Sequence, residues 1–388
     1  MSNIKEVTYD AYESIIKVCS LKPDDLNFLN LSGRQAFYKQ GYFGQGVIIA
    51  VIDSGIIDHK EFLNDDGESR ILEGWDFSTD GDWNEQRGIS RTNVQDGTGH
   101  GTHVSGSIVG KNVGIAPKAK ILPVKIFNAM SEGSVLGVIN AINFAVNKNV
   151  DIINMSLSIK ASYFETNPHM LVLLKDAVSR AREKGILLFS AAGNSGVKEV
   201  LYPASLDHTI CVGAVDYKKQ AALFSTESDM VDICQVGVDV VSAWIDGGYR
   251  KISGTSMATP ITAGIAALLL SKVKELSKNR PLFRDKIAVE EAVWGALKLN
   301  TIDIHEAGID SKTGAGFCTL QPLSGVKMIF KEKHPMSING ELIPSDIMPM
   351  MVKVSGGYRF VVPLRHPFEG IGGFVGWDNI KKEASVIF

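Results

Sequence analysis

The sequence predicts an α/β fold: a doubly wound, mostly parallel sheet flanked by helices, followed by a small β-rich C-terminal domain. Three observations carry this. Five short runs, residues 47–53, 121–127, 151–157, 186–192 and 209–215, are nearly all apolar and rich in β-branched residues. Strands buried on both faces read this way, whereas half-exposed strands alternate. Between several of these runs, apolar residues recur every three to four positions, the period of a helix. After Pro322 that period is lost and turn signals crowd in, among them Asn339-Gly340, Pro344, Pro349 and Gly372-Gly373.

Taken in order, residues 1–30 read as an N-terminal extension, of a length that suits a short propeptide. The α/β domain spans residues 31–325. Its first strand ends at Asp53, and Ser54-Gly55 turns the chain sharply after it. Val135-Leu136, Val138-Ile139, Ile142 and Val146 mark one helix. Leu171, Leu174, Ala177-Val178 and Ala181 mark another, which stops at Lys184-Gly185 with a basic last turn and a terminal glycine. The unbroken apolar stretch at 261–270 follows Gly254-Thr255-Ser256-Met257-Ala258-Thr259-Pro260. Residues 325–333 read as a linker, and 334–388 as the β-rich appendage.

Composition narrows the function classes. Of 388 residues, 45% are hydrophobic and 21% charged, with a net charge of −3, so no basic excess points to nucleic acid. The apolar runs at 47–52 and 263–270 fall short of the roughly 20 residues that span a bilayer, so no membrane span is expected. The N-terminus has charged Lys5, Glu6, Asp10 and Glu13 and no apolar leader, which favours a cytoplasmic location. The four cysteines are scattered and lack CxxC spacing, as free thiols in a reducing compartment would be.

Three segments carry candidate chemistry. In open α/β sheets, sites form at the carboxyl ends of strands. Asp53, 154–158 and Ala191-Ala192-Gly193-Asn194 all fall there. Asp53 by itself reads equally as a turn cap. His100 and His103, in Gly99-His100-Gly101-Thr102-His103, could hold zinc, but the HExxH spacing is missing and no cysteine is near. Ser256, at the mouth of a helix, is either an N-cap or a nucleophile favoured by the free N–H groups there.

Together, Asp-Ser-Gly at 53–55, His-Gly-Thr-His at 100–103 and Gly-Thr-Ser-Met-Ala-Thr-Pro at 254–260 resemble the subtilisin-like (subtilase) serine peptidases, in which the triad follows the order Asp, His, Ser. The resemblance covers about residues 32–322. It implies a serine endopeptidase with Asp53, His100 and Ser256 as its triad and Asn194 as an oxyanion donor. It also implies an extended peptide substrate bound between Gly133-Ser134 and Ser156-Leu157-Ser158. The rival reading is a scaffold that keeps the fold and binds peptides without turnover. An intact set of four catalytic residues argues against it.

Three departures from the family pattern stand out, one of them Gln235-Val236-Gly237 where Ala-Pro-Gly is common, a matter of packing rather than chemistry. Ser158-Ile159 replaces two glycines, which implies an altered, narrower wall for the primary specificity pocket. The loop after the His motif is short, so the family's tight calcium site is not expected. No cofactor is needed for the chemistry, and the weak calcium candidates are Asp76, Asp80 and Asp82, near-alternate in an acidic loop. The N-terminal segment is as short as the extension of intracellular members, and Leu21-Lys22-Pro23 is the stretch expected either to lie across the cleft or to form part of a simple packed arm. Finally, Phe360-Val361-Val362-Pro363-Leu364-Arg365 and Val375-Gly376-Trp377-Asp378 resemble the copper amine oxidase N-terminal-like (stalk) domain. That likeness implies tethering to a surface or virion partner. With no histidine cluster there, no copper is expected.

Overall fold

The computed structural model describes residues 6–8, 12–277 and 286–320, together with the backbone of seven strand segments beyond 327. In chain order the strands are β1 (Tyr12–Val18), β2 (Ile48–Asp53), β3 (Trp75–Asp76), β4 (Lys120–Lys125), β5 (Ile152–Met155), β6 (Ile159–Lys160), β7 (Leu187–Ala191), β8 (Leu201–Tyr202), β9 (Thr209–Val215), β10 (Ile233–Val236), β11 (Val240–Ala243), β12 (Tyr249–Ser253), β13 (Thr301–Ile302) and β14 (Phe317–Cys318). The helices are α1 (Asn27–Leu31), α2 (Arg34–Tyr38), α3 (Thr79–Gln86), α4 (His100–Val109), α5 (Val135–Asn147), α6 (Ala161–Thr166), α7 (Pro168–Glu183), α8 (Thr255–Ser277) and α9 (Lys286–Leu299).

All five predicted strands are present within a residue or two of the expected ends. They belong to one sheet in the order β13-β14-β10-β9-β7-β5-β2-β4-β3, parallel throughout except for the pair β13–β14. Helices α4 and α8 share one apolar core with one face of this sheet, and α5 and α7 share a second core with the other. This two-sided burial is why the strands carry no polar alternation. The chain leaves β2 towards β4 on one side and later returns to β5 on the other. The crevice for a site therefore opens at the carboxyl ends of β2 and β5.

Helix α8 is long and apolar enough to cross a membrane by length and composition, with a mean hydropathy of 1.4 over Thr255–Glu275. Its most apolar 18 residues, to which that value belongs, are buried inside the protein, so their apolar character is accounted for by packing. It lies under β5, β7, β9 and β10 and delivers its N-terminus to the crevice.

The N-terminal region is more integrated than an appended extension. Strand β1 pairs antiparallel with β12, Tyr12 opposite Ser253 and Val18 opposite Tyr249, and β11 completes a three-stranded sheet. Phe28 and Leu29 are buried in the main core. Leu21 packs beside Val241 and Tyr249, so the segment 21–23 does not cross the cleft as expected.

Beyond residue 327, five strands form an antiparallel sheet in the order Gly357–Val361, Met350–Val354, Met328–Ile329, Glu383–Ile387, Phe374–Asp378. Met328–Ile329 falls within the stretch read as linker. Ser337–Ile338 and Glu341–Leu342 form a separate antiparallel pair. The other residues of 321–388 lie outside the described residues, residues 362–365 of the stalk-like motif among them.

Candidate active site

Asp53 is the last residue of β2 and is fully buried. Its Oδ1 accepts the Ser54 N–H at 2.7 Å and lies 2.8 Å from His100 Nδ1, with Oδ2 at 3.0 Å. A carboxylate on Nδ1 holds the proton there and leaves Nε2 as the basic nitrogen. His100 opens α4, and that helix start is built to sit close to β2. A Cβ on Gly101 would fall 2.2 Å from the Gly55 carbonyl oxygen, so only glycine lets α4 approach the strand end.

The first turn of α4 is held by Asp96, a residue to which the sequence reading gave no role. Its Oδ1 accepts from Gly99 N–H at 2.9 Å and from Ser54 Oγ–H at 2.8 Å. Its Oδ2 accepts from Thr102 N–H at 2.9 Å and Oγ1–H at 2.7 Å. Ser54 Oγ in turn accepts the Gly101 N–H at 2.9 Å. A buried carboxylate capping a helix N-terminus is a strong anchor. Here it ties the turn after Asp53 to the turn that carries His100. The signal was available in Asp96-Gly97-Thr98-Gly99, an Asx turn just ahead of a helix.

Ser256 is the second residue of α8 and is nearly buried. Pro260, inside the same helix, has no N–H to give to the Ser256 carbonyl four residues back. Ser156 fills that gap: its Oγ–H donates to the Ser256 carbonyl at 2.9 Å. Ser256 Oγ–H donates back to the Ser156 carbonyl at 3.2 Å. Asn154 Nδ2–H, 3.1 Å from Ser156 Oγ, steadies the pair from β5.

Asn194 follows β7. Its Oδ1 accepts the Thr255 N–H and the Thr255 Oγ1–H, both at 2.9 Å, which makes its N–H₂ the donor end of the amide. Thr255 Oγ1 also accepts the Gly193 N–H at 3.1 Å. Thr255 thus orients Asn194 from the position next to Ser256, and sequence reasoning gave it no role either.

The predicted substrate edges are held apart by a piece of the chain itself. Val7 bridges Gly133 and Thr8 bridges Ser158, both antiparallel. Thr8 and Ser158 exchange two backbone hydrogen bonds, at 2.9 and 2.8 Å. Val7 is fully buried in the second core, and Glu6 accepts the Val135 N–H at the start of α5, where a carboxylate is favoured. Leu157 points inward and is buried. Ser134 differs from the expectation of a strand edge: it is the N-cap of α5, accepting the Gly137 N–H at 3.0 Å.

The zinc and calcium readings meet different chemistry. His100 is engaged with Asp53, and His103 Nε2–H donates to the carbonyls of Val240 and Arg250 at 3.1 and 3.2 Å. Burial, helped by His100, pushes the His103 pKa down to about 3, so it stays neutral. Asp80 and Asp82 lie in helix α3 rather than a loop, because Ser78 caps it through the Asp80 N–H. Two residues apart on a helix, they point about 200° away from each other. Asp82 is paired with Arg91. Asp80 faces Lys125 Nζ at 3.3 Å, and Asp76 Oδ1 accepts from Ser78. The three carboxylates do not fit one calcium ion, and no group of three or more His, Cys, Asp or Glu is placed to hold a metal among the described residues.

This arrangement has counterparts among known proteins. The profile of the Subtilase family matches residues 44–316. The thermostable alkaline protease of Halalkalibacterium halodurans is 36% identical over 283 residues, 72% of this chain and 70% of that protein. Subtilisin E of Bacillus subtilis is 38% identical over 247 residues, 61% of this chain and 58% of that protein, so the chain spans little more than half of that relative. The crystal structure of a lanthipeptide protease superposes with a TM-score of 0.64 at 23% identity, covering 77% of this chain and 93% of that one, a likeness of fold. The chain therefore belongs to the subtilase family, the subtilisin-like serine peptidases.

Proposed function

We propose that this chain is a serine endopeptidase working through Asp53, His100 and Ser256. Ser256 Oγ attacks the peptide carbonyl carbon while His100 Nε2 takes its proton. The carbonyl electron pair moves onto oxygen, where the Asn194 amide N–H and the Ser256 backbone N–H receive it. Collapse breaks the C–N bond, His100 returns the proton to the leaving amine, and water repeats the sequence on the acyl-enzyme. Asp53 holds the imidazole in the required tautomer. Removing the Asn194 amide should cost about 10²–10³ in kcat.

The observation that carries the reading is the double contact between Asp53 and His100 Nδ1, buried at the end of β2. Substrate would lie as Val7 and Thr8 do, as a third antiparallel strand between Gly133 and Ser158, giving affinity through main-chain pairing. Ser158 and Ile159, where relatives carry glycines, would restrict which side chains are accepted. The test is hydrolysis of denatured protein followed by mass spectrometry, beside Ser256→Ala. Cleavage by the parent chain and none by the variant is expected; equal cleavage by both would place the activity elsewhere.

A further inference from the structure

Antiparallel pairing fixes which substrate residue is attacked. Thr8 stands opposite Ser158, so a substrate bound in the same register would place the residue two positions after the one facing Ser158 opposite Ser156. The Ser156 carbonyl is 3.2 Å from Ser256 Oγ. That substrate residue, P1, therefore donates the scissile carbonyl. Its side chain must enter the gap between the segment leaving β5, residues 156–159, and the segment leaving the adjacent strand β7, residues 192–194.

The gap has occupants. A Cβ built on Gly193 would fall 2.2 Å from Leu201 Cδ1, so the Leu201 side chain lies directly on the Gly193 backbone. Leu201 is only 5% exposed, yet it belongs to neither large apolar core, and the main chain at Gly193 is one surface it lies on. Ile159, by contrast, is fully buried in the second core. The two residues sit on one antiparallel ribbon, β6–β8, in which Ile159 pairs with Tyr202 and Lys160 with Leu201, so Ile159 turns one face of the ribbon to the core and Leu201 lies on the other. Phe164 meets the Tyr202 ring edge-on at 5.0 Å and backs the ribbon from behind.

We infer that Leu201 plugs the primary specificity pocket, so that the enzyme cuts peptides after glycine, alanine or serine and rejects large apolar and aromatic P1 residues. This rests on the peptidase reading above and names its substrate class. Interiors are close-packed, and a pocket already filled by a leucine cannot accept a benzyl group unless the ribbon moves.

The test uses two aryl phosphonate esters that differ only in P1, alanine against phenylalanine, with a simple fluorophosphonate as reporter of a reactive Ser256. On the full chain the alanine ester should phosphonylate Ser256 at least about 100-fold faster, a ratio that pocket fit of this kind can supply. Leu201→Gly should bring the ratio below about 10, and Leu201→Ala should move it the same way by less. Equal rates for both esters on the parent chain would overturn the inference. So would an unchanged ratio in either variant that still reacts with the fluorophosphonate. A parent chain on which the fluorophosphonate leaves no adduct would instead strike the peptidase reading itself.

Discussion

Ser156 and Ser256 each donate a side-chain hydroxyl to the other's backbone carbonyl, at 2.9 and 3.2 Å. The exchange links the segment leaving β5 to the second residue of α8, the proposed substrate strand and the proposed nucleophile, and Pro260 creates the need for it by leaving the Ser256 carbonyl without its helical donor.

Ser156→Ala should therefore act on both stability and rate. A buried carbonyl loses its partner, which costs about 1–3 kcal/mol. The nucleophile also loses its tie to the substrate strand, so kcat should fall more than KM changes. Urea unfolding and steady-state kinetics on the same preparation check this; full stability with full kcat would show that the exchange is incidental.

Two buried groups set opposite pH slopes on stability. His103 is depressed from 6.5 to about 3 by burial, so its contribution is complete above pH 6.5 and is lost as pH falls towards 3. Asp232 is raised by burial from 3.8 to about 6, so its contribution is complete below pH 3.8 and is lost as pH rises through 6. Asp232→Asn should raise stability at neutral pH, and His103→Gln should flatten the acid limb between pH 6.5 and 3. Thermal melts across pH 3–8 read both slopes.

Residues 6–8 occupy the strand position that substrate would take, so they compete with it. A tethered segment acts at an effective concentration on the order of millimolar. Deleting residues 1–11 keeps β1 and should raise the initial rate by about tenfold at low substrate. Progress curves without a lag, identical for both chains, would show that the segment leaves the cleft without cost.

The carboxylates Asp80 and Asp82 are already neutralised by Lys125 and Arg91. A chelator should leave both the melting temperature and activity unchanged. A drop of several degrees that calcium restores would reveal a site built from other residues.

Much of the core was legible in the sequence because strands buried on both faces are written as continuous apolar runs, and the triad motifs sit where such strands and helices end. What escaped notice depends on long-range contact. Strand β1 pairs with β12, more than 200 residues away, and nothing local marks it. Nothing in the sequence singles out Leu201 until Gly193 is seen against it. Thr255 reads as a helix start until its two bonds to Asn194 appear. The acidic stretch at 76–82 was misread as a loop although Ser78 was a readable N-cap signal.

The central claim is that Asp53 and His100 activate Ser256. Its most direct test is the mass and peptide map of the chain after a fluorophosphonate, beside Asp53→Asn, which should keep the fold but present the wrong tautomer. The account predicts one adduct, on Ser256, formed about 10⁴-fold more slowly in the variant. An adduct on another residue, none at all, or equal rates in the two chains would contradict it.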